Sequence, residues 1–89
     1  MKKLAFNGHK NVISDRLRHF RKLRGLSQEQ VAAKMQLLGV NIDQQMLSKI
    51  ENDRRIVTDY ELACLCQVLN VGERDLLADF YQGHREPSS

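Results

Sequence analysis

Residues 21–55 read RKLRGLSQEQVAAKMQLLGVNIDQQMLSKIENDRR, and two helical patterns lie in that stretch on either side of a turn. Ser27 is followed three residues later by Gln30. This is the capping-box spacing, in which a hydroxyl and an amide each satisfy a free backbone N–H group. Val31, Met35 and Leu38 then recur at i, i+4 and i+7, the inner stripe of a helix that Gly39 ends. Asp43 is a good N-cap for a further helix. On a wheel of about 100° per residue, Gln44, Gln45, Ser48, Lys49 and Asn52 share one side of it. Met46, Leu47 and Ile50 share the other, and Glu51 falls on the border. Two adjacent glutamines therefore face away from the core, in a strip of hydrogen-bonding side chains.

Such a strip suits base edges. Glutamine pairs bidentately with adenine N6 and N7, and lysine reaches guanine O6 and N7. An ordinary solvated helix face has the same pattern, so the wheel leaves both readings open.

Outward from this stretch the periodicity stays helical. Ile13, Leu17 and Phe20 give a first helix over residues 11–23, before Gly25. Thr58 with Glu61 three residues on starts a fourth, whose inner stripe is Leu62, Leu65, Cys66 and Leu69. Leu76, Leu77 and Phe80 mark a short fifth over residues 73–80. No strand alternation or repeat interrupts the pattern. With 89 residues, 42% of them hydrophobic, the expected fold is all-α, a compact five-helix bundle around one core. Residues 1–11 form a basic N-terminal arm, 12–81 the domain, and 82–89 a tail expected to be disordered.

Charge is unevenly spread. Residues 1–24 hold eight basic side chains against Asp15 alone, residues 25–58 balance, and residues 59–89 hold two arginines against six acids. A basic N-terminal third suggests a polyanionic partner, and a solvated helix face explains it equally well. Lys2, Lys3 and Lys10 could reach nucleic acid, while Leu4 and Phe6 could pack on the domain. Aromatics are 6% of the chain, too few for a platform that stacks single-stranded bases. Two cysteines without a disulfide pattern point to the reducing cytoplasm. The N-terminus lacks the apolar core of a signal peptide, and no run approaches the roughly 20 apolar residues of a membrane span.

Catalytic and metal readings are weak. Cys64 and Cys66 are two apart on a helix, so they point to different faces, Cys66 inward. His9, His19 and His84 have no metal-ligand spacing. Ser14, Asp15 and His19 on one exposed helix have no pocket and no oxyanion donors, so no enzyme is expected.

The strings RKLRGLSQEQVAAKM and MLSKIENDRR resemble the helix-turn-helix domain of the phage Cro and repressor family, also called the XRE family. Its typical string runs L-R-x-x-x-G-L-S-Q-E-x-L-A, then S-x-I-E-N-G-x-R. Arg21, Gly25, Leu26, Ser27, Gln28, Glu29, Val31 and Ala32 match the first part, and Ser48, Ile50, Glu51, Asn52 and Arg55 the second. The resemblance spans roughly residues 12–77. It implies a lambda-repressor-like bundle and a transcriptional regulator, a repressor, that binds double-stranded DNA with its third helix in the major groove. It implies base contacts from Gln44, Gln45, Ser48 and Lys49, and backbone contacts from Gln28, Asn52, Arg54 and Arg55. Arg21 and Glu51 would form a structural ion pair. No cofactor is implied. A chain of this length is expected to have no membrane partner and no ligand-sensing domain.

Two departures stand out. About five extra residues lie within KMQLLGVNID, so a longer second helix and a wider turn over 39–42 are expected. Asp53 stands where the family often has glycine, and aspartate tolerates the left-handed conformation better than most residues. A single recognition helix reads too few base pairs for a unique site, so a twofold homodimer is expected. Its contact is placed at Phe80, Tyr81 and the fourth helix. A protein-interaction module on the same fold, or an antitoxin-type autoregulator, remains the alternative.

Overall fold

The computed structural model describes residues 7–83. The expectations for Lys2, Lys3, Leu4 and Phe6 in the arm, and for residues 84–89 of the tail, lie outside the described residues; residues 82 and 83, expected in that tail, are helical. Within them the regular elements are α1 (Ser14–Leu23), α2 (Gln28–Leu37), α3 (Gln44–Glu51), α4 (Asp59–Leu69), α5 (Glu73–Leu76) and α6 (Ala78–Gly83).

Three helix starts are fixed by the local hydrogen bonds that the sequence implies. The Ser27 hydroxyl accepts from the Gln30 N–H at 3.0 Å while the Gln30 side chain accepts from the Ser27 N–H at 2.8 Å. Thr58 and Glu61 repeat this box at α4, at 3.3 and 3.0 Å. Asp43 accepts from the Met46 N–H at 2.8 Å and opens α3. Each bond satisfies an N–H that the first helical turn leaves free.

Two boundaries differ from the sequence reading. The first helix starts at Ser14, not 11, because Asn11 is buried and its amide serves residues far along the chain. The expected fifth helix is two: ψ at Leu77 is 10°, far from the roughly −42° of an α-helix, and the chain breaks between α5 and α6. The bundle therefore has six helices among the described residues.

The core is built from Leu17 of α1, Val31 and Met35 of α2, Leu47 and Ile50 of α3, Leu65 and Leu69 of α4, and Leu76 of α5, all fully buried. Cys66 is buried beside them, and burial pushes its thiol up to about 11. Leu38, expected in the inner stripe of the second helix, is instead 46% exposed. The chain has by then left α2. Gly39, at φ 87°, turns it, with Val40 N–H returning to the Met35 carbonyl at 3.1 Å. Glycine meets little steric cost in that left-handed region. The turn brings Val40 and Ile42 into the core, and the Gln36 side chain donates to the Ile42 carbonyl at 3.1 Å. The extra residues thus supply two core anchors, and α3 is seated by packing rather than hung on a loose loop.

Ile42→Ala removes the deeper of these anchors. Loss of buried methylenes together with the cavity left behind should lower stability by about 2–5 kcal/mol, read from urea unfolding. A change under about 1 kcal/mol would mean that the connection does not hold α3.

Candidate nucleic-acid interface

The outward side of α3 carries the strip expected from the wheel. Gln44, Gln45, Lys49 and Asn52 are exposed and Ser48 is half-buried, while Leu47, Ile50 and Glu51 are buried. Asn52 donates back to the Ser48 carbonyl at 2.9 Å, which ties the C-terminal end of the strip to its own helix. Arg54, just beyond, is exposed.

What lies beneath the strip is charged. The Glu51 side chain is 2% exposed and that of Arg21 12% exposed. Arg21 Nε donates to Glu51 Oε2 at 2.6 Å and Nη2 to Oε1 at 3.0 Å, a bidentate fork from α1 to the end of α3. Arg21 Nη1 also donates to the Leu26 carbonyl at 3.0 Å, which fixes the turn before α2. Arg18, legible in the sequence only as one of the basic residues of the N-terminal third, adds a bond to the Glu51 carbonyl at 2.7 Å.

Gln28 completes this arrangement from the start of α2. Its Nε2 donates to Glu51 Oε1 at 3.0 Å, and its Oε1 accepts from Gln44 Nε2 at 2.7 Å. An ionised carboxylate can only accept, so the Gln28 NH₂ must face Glu51 and its oxygen must face out. That oxygen in turn calls for the NH₂ of Gln44. One N–H and the carbonyl oxygen of Gln44 are left for another partner, the pair that an adenine edge requires.

Arg55, expected to meet the DNA backbone, also has partners within the fold. Its guanidinium donates to both carboxylate oxygens of Glu61, at 2.9 and 3.0 Å, and to the Ile56 carbonyl at 3.0 Å. The side chain is committed to fixing the segment between α3 and α4, and Arg54 is the exposed arginine of the pair. The hydrogen bonds from Arg55 outweigh burial and hold the Glu61 carboxyl below the usual glutamate range.

The four arginines of the basic N-terminal third are also engaged within the fold. Arg16 pairs with Asp79 at 3.0 Å, Arg18 with Asp15 at 2.8 Å, and Arg24 donates to the Leu69 and Asn70 carbonyls at the end of α4. A cation there complements the negative end of the helix. The charge imbalance therefore says less about a partner than the sequence suggests. The exposed cations at the strip are Lys49 and Arg54. Among the described residues no group of three or more histidine, cysteine or acidic side chains is arranged to hold a metal ion.

The C-terminal apolar residues are graded in burial. Leu76 is fully buried, Leu77 and Phe80 are half-buried, and Tyr81 is 43% exposed with the Arg74 guanidinium 4.8 Å above its ring.

Known proteins share this fold. The HTH_3 helix-turn-helix family matches residues 17–76. The restriction-modification controller protein C.AhdI from Aeromonas hydrophila is 30% identical, with a TM-score of 0.63 over 72% of this chain and 86% of its own. An HTH_3 family transcriptional regulator from Vibrio cholerae is 31% identical, with a TM-score of 0.65 over 83% of this chain and 39% of its own. The clp gene regulator ClgR from C. glutamicum shares the fold at 23% identity, with a TM-score of 0.69 over 84% of this chain and 91% of its own. No curated protein matches the sequence.

Two outcomes test the frame beneath the strip. Glu51→Ala leaves Arg21 and the Gln28 amide without their acceptor, and should cost about 3–5 kcal/mol in chemical unfolding; a variant as stable as the parent would remove the lock. For Glu61 the pKa is depressed by folding. Its contribution is fully present above the ordinary glutamate value of about 4.3 and is lost as pH falls through the lower folded value. Glu61→Gln should therefore melt below the parent at pH 7, and the gap should narrow by pH 3. A constant gap would mean that the pair with Arg55 carries no charge-dependent stability.

Proposed function

The chain belongs to the HTH_3 helix-turn-helix family and is a DNA-binding transcription regulator, and on that premise we propose that it represses transcription by reading a duplex operator with α3 in the major groove. The observation that carries this reading is the exposed strip of α3, braced from beneath by the Arg21–Glu51 pair through Gln28. Gln44, Gln45, Ser48 and Lys49 meet base edges. Asn52 and Arg54 meet the sugar-phosphate backbone, and the start of α2 at Gln28 offers a phosphate the positive end of a helix. Arg55 supports this surface from within.

The protein works in the cytoplasm without a cofactor or a catalytic step. It acts as a twofold dimer, because one recognition helix covers only a few base pairs and two place half-sites about 34 Å apart. The half-buried Phe80 and exposed Tyr81 are the apolar surface that a second copy covers.

Selection from a random duplex library tests this directly. The expected product is a site of two inverted half-sites. On that site Gln45→Ala should lose about 1–3 kcal/mol and relax preference at one base pair. Arg54→Ala should weaken binding to all sequences alike and lower the salt dependence by about one unit of slope. No enrichment over the starting library overturns the reading in favour of a protein-interaction module on the same fold, and a Gln45→Ala variant with unchanged preference means that α3 is not the reader.

A further inference from the structure

Asp53 lies two residues beyond α3, at φ 58°, where glycine would be less strained. A carboxylate at the edge of a surface that faces phosphates is also unfavourable by charge alone. Its contacts give it a use. Asp53 Oδ2 accepts from His9 Nδ1 at 2.6 Å, and Oδ1 accepts from the Lys10 and Asn11 N–H groups at 2.8 and 3.1 Å. Burial raises the Asp53 carboxyl pKa, but these bonds outweigh it and hold the group below the usual range. Asn11 adds a second clamp. Its Nδ2 donates to the Ile50 carbonyl in the last turn of α3 at 3.0 Å and to the Arg55 carbonyl at 2.9 Å. Residues 9–11 are therefore fastened to the short segment that carries Asn52 and Arg54. Lys10, in the middle of them, is exposed.

We propose that Asp53 is a positioning residue for DNA binding, a latch that holds residues 9–11 against the end of α3 so that the Lys10 ammonium adds a phosphate contact beside Arg54. The inference rests on the reading of α3 as the helix that faces DNA. It makes a prediction opposite in sign to simple electrostatics. Deleting a negative charge near phosphates should tighten binding, whereas deleting the latch should weaken it, because a contributing cation is no longer held in place.

The test measures affinity for the selected duplex against salt concentration for the parent, Lys10→Ala, Asp53→Gly, Asp53→Asn and the double variant Lys10→Ala/Asp53→Gly. Circular dichroism confirms that each is folded at the temperature used. Glycine accepts the backbone angle but offers no acceptor; asparagine keeps both the angle and an oxygen for the Lys10 and Asn11 amides. Lys10→Ala should lower the slope of log affinity against log salt by about 0.9. Asp53→Gly should weaken binding with a similar loss of slope, Lys10→Ala should then add nothing, and Asp53→Asn should retain the Lys10 contribution. An Asp53→Gly variant that binds as tightly as the parent or more so, or a Lys10→Ala effect that is absent from the parent or equal in both backgrounds, overturns the latch. If Asp53→Gly does not fold, Lys10→Ala in the parent still decides: an unchanged affinity and salt slope there is the overturning result. A parent that binds no duplex fails at the prior step, and that is a different outcome from a parent that binds without help from Lys10.

Discussion

The buried carboxylate of Glu51 is the constraint on which the rest of this surface depends. A charge taken out of water is tolerated only where opposite charge and hydrogen bonds replace the solvent. Here a bidentate Arg21 and the Gln28 amide do so, from α1 and α2. Because the acceptor belongs to the last residue of α3, satisfying it fixes where α3 ends relative to both other helices. Arg18 fastens the main chain of the same residue. Apolar packing of Leu47 and Ile50 would hold α3 against the core but would tolerate small slips along the helix axis. A fork of charge-assisted bonds is directional and does not.

The same carboxylate sets polarity at the surface. Its inability to donate orients the Gln28 amide, and Gln28 orients Gln44. A glutamine free in solution offers an edge of either hand and loses rotamer entropy when it binds. Gln44 already has a hydrogen-bond partner in Gln28. Gln45 and Lys49 are exposed beyond this chain of bonds. The strip thus combines one preset hydrogen-bonding edge with side chains that can adapt.

Much of the fold was legible in the sequence because its signals are local. The capping boxes at Ser27 and Thr58, the cap at Asp43 and the apolar stripe of α3 each depend on residues three or four apart, and each stands where the spacing puts it. The left-handed Asp53 was legible only through the resemblance, since it stands where the family often has glycine. The break at Leu77 carried no such mark, since no glycine or proline interrupts Leu76, Leu77 and Phe80. Val40 and Ile42 were hidden because a turn, not a periodic stripe, delivers them to the core. The Arg21–Glu51 pair was readable only through resemblance, as Glu51 sits on the border of the wheel.

Side-chain competition marks the limit of local reading. Arg54 and Arg55 are adjacent and chemically equal, and both look suited to phosphate. What separates them is Glu61, six residues from Arg55 and already held in its capping box, which offers Arg55 a fixed acceptor inside the fold. Asn11 makes the same point over a longer span. As a sequence feature it looks like the first residue of a helix, yet its amide closes bonds to carbonyls at positions 50 and 55. An arginine or an amide goes where the unsatisfied acceptors are, and those are created by the ends of helices. The ends of α3 and α4 therefore decide which polar residues brace the domain and which are left to face a partner.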